Sequence, residues 1–164
     1  MMCAMKIRHR LNYDASPEEV YEMLSDPAFR EKVCEAMDTV SHDVVIDRGE
    51  EGMSVRIDMV QRTQGVPGFA KKVVGDTTRI IQSEEWVAAQ SADLEVEIPG
   101  KPGHIRGTIT LTGDDSSTVE SFAGEATISI PLVGGKLEGL IGKLFVLGMD
   151  TEERVGAAWL VGQR

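Results

Sequence analysis

The sequence predicts an α+β fold of one strand, two short helices, six further strands and one long C-terminal helix. Three observations lead to this prediction. Apolar and polar residues alternate with a period of two near the N-terminus and again over residues 40–130, which is typical of half-buried strands. Two helix-start signals follow each other in DASPEEVYEMLSDPAF, residues 14–29. A long amphipathic stretch that begins IPLVGGKLEGLIGKLFVLGM then runs towards the C-terminus. A chain of 164 residues is most simply one domain, over residues 1–164.

The first elements are a strand over residues 6–13 and two short helices. In the strand, His9 shares the apolar face with Ile7 and Leu11. The first helix begins with a capping box, in which Ser16 is the N-cap, proline follows and glutamate comes three residues on. An Asp-Pro pair at residues 26–27 begins the second helix. The apolar stripes of the two helices are Val20, Met23 and Leu24, then Phe29, Val33, Cys34 and Met37.

Six strands separated by turn signals are expected next. The turns are RGEEG, PGKPG and GDDSS, at residues 48–52, 99–103 and 113–117. Consecutive strands joined by short turns form an antiparallel meander. Residues 64–75 are predicted to be irregular, with one helical turn near 69–73. The six strands are expected at about 42–46, 53–59, 77–87, 92–98, 105–111 and 118–130.

The last helix is predicted from about residue 135 towards the C-terminus. Lys136, Glu138, Lys143 and Asp150 interrupt its apolar run, whereas a membrane-spanning helix needs about 20 predominantly apolar residues. We therefore expect no membrane span. The apolar face of the meander needs a cover, and this helix is the long amphipathic element left to supply it. Its predicted sheet-facing stripe is Leu137, Leu140, Ile141, Leu144, Gly148, Thr151, Val155 and Trp159.

Composition excludes several classes of function. A net charge of -10, from 17 basic and 27 acidic residues, argues against a nucleic-acid partner, which needs clustered Lys and Arg. Cys3 and Cys34 are far apart and show no CxxC spacing, so a reduced, cytoplasmic setting is expected. The N-terminal residues contain no apolar signal-peptide region. The histidines at positions 9, 42 and 104 lack the short spacing of a zinc site, and we predict no metal and no cofactor.

Two segments carry a resemblance to a known family. YDASPEEVYEMLSDPAFREKVC and ISIPLVGGKLEGLIG together resemble an uncharacterised actinobacterial family known as domain of unknown function 2505. The order of elements resembles the helix-grip fold of the START/pollen-allergen-like (SRPBCC) superfamily over essentially the whole chain. This resemblance implies a curved seven-stranded antiparallel sheet around the C-terminal helix, with a cavity between them for lipids, sterols or polyketides. It also implies a minority of cyclases, hydrolases and dehydratases among the relatives, and some co-chaperone-like interaction modules.

Polar residues on predicted apolar faces are the candidates for a site. Gln82 and Glu84 fall on the inner face of one strand, and Glu120 on that of the last strand. Parity is ambiguous over residues 77–87 and 118–130, because a register slip or a bulge would reverse it. A buried ionisable group is costly unless it is paired, so such groups facing a cavity would be functional candidates. Solvent-exposed positions near the strand ends are the alternative.

The leading functional hypothesis is non-catalytic binding or carriage of a small apolar or amphipathic ligand. One alternative is a cyclase, hydrolase or dehydratase in the same cavity, with His9 and Glu84 as weak candidates for acid and base. The other alternative is a protein-interaction module. The predicted cavity residues are His9, Leu11, Met53, Val55, Ile57, Met59, Gln82, Glu84, Trp86, Leu137, Ile141, Leu144, Gly148 and Thr151.

A homodimer through the last helix is a further expectation. Gly139, Gly142, Val146 and Met149 recur about once per turn on the side opposite the bulky stripe. Each interior glycine costs about 1 kcal/mol relative to alanine, so close approach of a second chain is one reason to retain them. A tolerated surface without a partner is the alternative.

Overall fold

The computed structural model describes residues 3–62, 68, 72, 75–129 and 134–164, and it confirms the predicted helix-grip fold. The strands form one antiparallel sheet of order β1-β7-β6-β5-β4-β3-β2, so β1 closes the meander against β7. The helical turn predicted over residues 69–73 lies outside the described residues apart from Lys72. The elements are β1 (Cys3–Tyr13), α1 (Pro17–Leu24), α2 (Pro27–Ala36), β2 (Thr39–Arg48), β3 (Met53–Arg62), β4 (Thr77–Ala88), β5 (Ser91–Glu97), β6 (Gly103–Gly113), β7 (Thr118–Ile128) and α3 (Gly134–Leu160).

The start of each short helix follows its sequence signal. Ser16 Oγ accepts a hydrogen bond from the Glu19 backbone N–H at 3.2 Å, and Glu19 Oε2 accepts one from the Ser16 N–H at 3.0 Å. Asp26 caps α2 by accepting from the Ala28 N–H at 2.9 Å. These bonds satisfy donors that a helix N-terminus otherwise leaves unpaired. Both helices therefore begin where the sequence predicts.

Two glycines allow the backbones of β6 and β7 to approach closely beneath an aromatic side chain. Gly107 and Gly124 are direct partners in the antiparallel register. A Cβ at Gly107 would lie 2.5 Å from the carbonyl oxygen of Ala123, and one at Gly124 would lie 2.7 Å from Phe122 Cζ. The Phe122 ring thus occupies space that any larger residue would fill, and it packs edge-on against Phe145 of α3 at 4.8 Å.

The long helix α3 is hydrogen-bonded to β1, which is an edge strand of the sheet. Asp150 Oδ1 lies 2.6 Å from His9 Nε2, and Glu153 Oε2 accepts the Asn12 backbone N–H at 2.6 Å. The second bond satisfies a backbone donor, and unpaired donors on an edge strand would otherwise invite pairing with another chain. The acidic residues of this helix therefore hold it along the edge of the sheet.

The predicted dimer strip is not a free surface. Gly142 is buried against β1, where a Cβ would lie 3.2 Å from Met5 Cε. Met149 is only 7% exposed and faces the interior. The prediction of a surface formed by Gly139, Gly142, Val146 and Met149 is wrong at these two positions, because Gly142 rests on β1 and Met149 lines the cavity between α3 and the sheet.

The predicted stripe of α3 is buried only near its two ends and is half-buried or exposed between them. Leu137 and Trp159 are 2% and 6% exposed, whereas Leu144 is 45% exposed. Leu144 is therefore not a packed core residue. Within the described residues, no helix is long and apolar enough to cross a membrane.

The packing of α3 on β1 predicts a difference between two alanine substitutions in this helix. A Cβ at Gly156 would lie 2.6 Å from Tyr13 Cε1, whereas one at Gly139 would meet nothing within 4 Å. Both substitutions gain the same helix propensity of up to about 1 kcal/mol, but only Gly156→Ala overpacks a buried contact, at a cost of about 1–3 kcal/mol. We expect urea denaturation to show Gly156→Ala less stable than Gly139→Ala by that cost. Equal stability of the two variants would mean that α3 does not pack on Tyr13.

Candidate functional site

A cavity of about 210 Å³ lies between the inner face of the sheet and α3, with α2 along one side. Its wall is mostly apolar. An engineered apolar cavity of about 150 Å³ holds benzene, so this cavity has room for a single ring with a short substituent or a chain of similar volume. The apolar side chains that line it include Ile57, Met59, Leu94, Val96, Ile105, Ile109, Phe122, Leu137, Ile141, Phe145 and Met149.

The cavity is open at one end and closed at the other. Leu144 and Arg62 line it but are exposed, with 45% of Leu144 and 50% of the Arg62 side chain accessible to solvent. In contrast, Arg30, Glu84 and Glu120 line it while only 3%, 1% and 2% exposed. The open end is therefore a mouth beside α3, and the closed end is formed by buried charged side chains.

A fully coordinated ion pair forms part of this closed end. Arg30 donates from Nη1 and Nη2 to the two carboxylate oxygens of Glu84, both at 2.9 Å, and from Nε to the carbonyl oxygen of Leu24 at 2.7 Å. Gln82 Nε2 and Trp86 Nε1 also donate to Glu84, at 2.8 and 2.9 Å. Burial by itself would raise the pKa of Glu84, but the Arg30 charge and these hydrogen bonds hold that pKa below its ordinary value of 4.5. Glu84 is therefore ionised and its oxygens are occupied.

Two further glutamates form a carboxyl pair beside this ion pair. Glu120 projects from β7, Glu152 projects from α3, and both line the cavity. Burial, followed by repulsion from Glu152 and a hydrogen bond with it, raises the pKa of Glu120 well above 4.5. Burial also raises the pKa of Glu152. Two carboxyl groups in one buried site cannot both ionise readily, so the pair retains a proton.

The carboxyl pair is short of hydrogen-bond donors. Glu120 Oε1 is buried and has no hydrogen-bond partner among the described residues. Tyr13 Oη donates to Glu152 Oε1, but at the long distance of 3.4 Å. Burial, together with the nearby glutamates, raises the pKa of Tyr13, so this phenol keeps its proton. The closed end thus offers acceptor oxygens that the protein itself leaves incompletely satisfied.

Part of the predicted cavity lining lies in the observed cavity wall. Four alternate residues of β4 face inward, namely Ile80, Gln82, Glu84 and Trp86. This is the result expected if the alternation of faces along the strand is not interrupted by a bulge. Glu120 also faces inward, because β7 pairs with β1 and β6 without any shift of register. The predicted residues that line the cavity are Ile57, Met59, Gln82, Glu84, Leu137, Ile141, Leu144 and Gly148.

The other predicted residues lie outside the cavity wall. Leu11, Met53, Val55 and Trp86 belong to the hydrophobic core. They face inward as expected, but other side chains fill the space in front of them. The Trp86 ring, for example, packs edge-on against Tyr21 of α1 at 5.6 Å. An inward face therefore does not by itself place a residue in the cavity, since α1 covers this part of the sheet.

The predicted acid and base candidates are not brought together. His9 Nε2 lies 2.6 Å from Asp150 Oδ1 at the edge of the sheet and does not line the cavity, whereas Glu84 is bound by Arg30. Thr151 is likewise outside the wall, and its hydroxyl donates to a backbone carbonyl of its own helix at 2.9 Å. In this structure His9 and Glu84 are therefore bound to different partners, because α3 supplies His9 with a partner of its own.

Two charged residues of the closed end were not identified from the sequence, although each lies at helical spacing from apolar-stripe residues of its own helix. Arg30 precedes Val33 and Cys34 by three and four residues, so it falls on the apolar stripe of α2. Glu152 follows Gly148 by four residues and falls beside the stripe of α3. Charged residues beside an apolar stripe usually extend to solvent, which is why the pattern alone does not mark these two. Among the described residues, no group of His, Cys, Asp and Glu could hold a metal ion.

The carboxyl pair predicts that stability falls as pH rises. A carboxyl group with a higher pKa in the folded state binds more protons when folded, so the free energy of unfolding decreases from about pH 4.5 upward through the folded-state pKa. The pKa of Glu84 is lowered, so Glu84 changes the free energy of unfolding with pH only below about 4.5, which is outside this range. We expect urea denaturation between about pH 5 and about pH 8 to show a smaller decrease for Glu120→Gln than for the wild type. The exposed control Glu97→Gln should keep the wild-type slope, and an unchanged slope in Glu120→Gln would contradict the assignment.

Solved structures show that this arrangement of elements recurs in other proteins. A protein from Thermus thermophilus matches with a TM-score of 0.63 and 23% identity, over 94% of this chain and 99% of that one. Norcoclaurine synthase from Thalictrum flavum, in complex with dopamine and hydroxybenzaldehyde, matches with a TM-score of 0.59 and 16% identity, over 94% and 87%. A START superfamily protein from Mycobacterium smegmatis matches with a TM-score of 0.57 and 14% identity, over 92% and 96%. At these identities the likeness shows the fold, which is that of the START/pollen-allergen-like group.

Sequence comparisons give a narrower relationship. An uncharacterized protein of Mycobacterium tuberculosis is 24% identical over 161 residues, which cover 91% of this chain and 92% of that protein. The sequence profile of the family described as "Protein of unknown function (DUF2505)" matches residues 8–160. Because that match spans nearly the whole chain, this protein belongs to the DUF2505 family.

Proposed function

We propose that this protein binds a small apolar or amphipathic ligand in the cavity between the sheet and α3, and carries it without chemical change. The observation that carries the proposal is the cavity itself, which is apolar along its wall, open beside Leu144 and polar at its closed end. Small-molecule sites in proteins typically combine such an apolar wall with a few convergent polar groups that orient the ligand.

The volume of the cavity limits the part of the ligand that it can enclose. At about 210 Å³ the cavity is smaller than the roughly 300–1,000 Å³ of typical ligand pockets. A substituted ring or a short acyl chain would be enclosed. A larger molecule such as a sterol would extend through the mouth past Leu144 and Arg62. The norcoclaurine synthase structure, in complex with dopamine and hydroxybenzaldehyde, supports a ligand of the smaller kind.

A proton-transfer enzyme is the second candidate, and one observation favours it. Glu120 retains a proton in a cavity, which is a property of general acids in active sites. The two candidates differ in what happens to the ligand. Native mass spectrometry of protein purified from its own cells should identify a bound small molecule. Recovery of that molecule unchanged after incubation supports carriage, whereas its conversion, abolished in Glu120→Gln, supports the enzyme.

Filling the cavity should weaken ligand binding. Gly148 lines the cavity, and a Cβ there would lie 3.5 Å from Met37 Sδ, so a leucine at this position would extend into the space. We expect Gly148→Leu to weaken binding of the neutral dye N-phenyl-1-naphthylamine, followed by fluorescence titration, by at least about tenfold, or about 1.4 kcal/mol. Gly139→Leu is the matched control on the same helix, because Gly139 has open space around it and does not line the cavity.

Two results would contradict the proposal in different ways. Equal affinity in Gly148→Leu and Gly139→Leu would place the ligand elsewhere on the protein. Absence of saturable binding by the wild type, both to the dye and to a panel of fatty acids, sterols and polyketides, would refute carriage. A protein partner recovered in place of a small molecule would then favour an interaction module.

A further inference from the structure

We infer that the closed end of the cavity is a binding site for the ammonium group of an amine ligand, which Glu120 and Glu152 hold between β7 and α3. This inference rests on the proposed function and specifies the polar part of the ligand. The apolar body of the ligand would lie along the wall towards the mouth.

At the closed end, the carboxyl groups of Glu120 and Glu152 have no bonded cation in the described cavity wall. The guanidinium of Arg30 is engaged by both oxygens of Glu84 and by the carbonyl oxygen of Leu24. The other basic side chain among the described lining residues, Arg62, lies at the mouth and is 3.6 Å from Asp38. Since Arg30 and Glu84 neutralise each other, the described cavity wall contains no cation bonded to Glu120 or Glu152.

The remaining titratable groups, one in the cavity wall and one beside Glu152, are neutral. Burial raises the pKa of the Cys34 thiol of α2 to about 11, and it also raises the pKa of the Tyr13 phenol of β1. Whenever Glu120 and Glu152 hold a single proton between them, the closed end as a whole carries one uncompensated negative charge. A buried charge without a partner is strongly disfavoured, so a ligand that supplies the opposite charge gains affinity.

The hydrogen-bonding capacity of the site points in the same direction. Glu120 is 2% exposed, its Oε1 has no partner among the described residues, and Glu152 receives a hydrogen bond from Glu120 and the long bond from Tyr13. An ammonium group has three donors and no acceptor, so it complements a site that offers acceptors. A hydroxyl group would satisfy one acceptor but leave the charge, and a carboxylate would add a second negative charge. Hydrogen bonds between charged groups are roughly twice as strong as neutral ones, which favours the amine further.

Three matched ligands test this inference by titration calorimetry. They are 2-phenylethylamine, 2-phenylethanol and 3-phenylpropionate, which share a ring that the cavity can enclose and differ in the polar end. We expect the amine to bind at least about tenfold more tightly than the alcohol near neutral pH, and the carboxylate to bind most weakly. If the alcohol or the carboxylate binds as tightly as the amine, the inference is wrong while the proposed carriage stands. If none of the three binds, and neither the neutral dye nor the panel of fatty acids, sterols and polyketides binds, both are wrong.

Substitutions of the pair identify the groups responsible. In the double variant Glu120→Gln/Glu152→Gln, the ratio of amine to alcohol affinity should fall to about 1, because neither carboxyl group remains to carry the charge. The control Glu97→Gln removes a carboxylate at an exposed position on β5 and should keep the wild-type ratio. Each ratio compares two ligands on one protein, so a general loss of stability does not alter it. A wild-type ratio retained in the double variant would overturn the inference.

The wild type supplies a second test if the double variant fails to fold. Because its pKa values are raised, the carboxyl pair loses protons as pH rises above the ordinary value of 4.5, whereas an alkylamine, with a pKa near that of lysine at about 10.4, stays protonated between about pH 5 and about pH 8. The ratio of amine to alcohol affinity should therefore rise with pH over this range. A ratio that stays constant or falls would show that the carboxyl pair does not recognise the amine.

Discussion

The buried ion pair between Arg30 and Glu84 is the interaction on which the cavity depends. It joins α2 to β4, and it occupies every donor and acceptor that the two groups direct at each other. Because two charges removed from water are stable only when such bonds are complete, the pair fixes the position of α2 against the sheet. It also engages the guanidinium nearest to Glu120 and Glu152. Because Arg30 is bonded to Glu84, it does not bond to Glu120 or Glu152. The carboxyl pair therefore retains a proton.

The cavity follows from the way two helices share one wide sheet. The long helix α3 packs mainly on β1 and β7, at one edge, while α2 packs on β2 at the other edge. Neither helix packs closely on the strands between, and the lining residues of β3 to β6 face the gap. Aromatic residues make up only 5% of the chain, so few large side chains could fill it. Protein interiors otherwise pack densely, so a gap of this size in the middle of the fold calls for a functional explanation.

The charged end of the cavity illustrates how far the sequence leads towards a site. Period-two alternation placed Gln82, Glu84 and Glu120 on inner faces, and the regular registers of β4 and β7 made those assignments correct. Alternation also placed His9 on an inner face, but that face lies against α3 and not in the cavity, since alternation describes a face and not the helix that covers it. Asp150, 141 residues away in sequence, engages that histidine. Contacts at such separations depend on how the elements pack, and no local pattern encodes them.

The sequence by itself determined the order of the elements, the starts of the short helices and the absence of a nucleic-acid-binding charge pattern. These follow from local chemistry: capping residues, turn residues and the period of apolar side chains act over a few neighbours. Only the tertiary structure decided which inward residues line the cavity, which are packed in the core, and which acids share a proton. Those outcomes depend on burial and on charges brought together from α2, β4, β7 and α3, and the free energy of a buried charge is set by its surroundings in space.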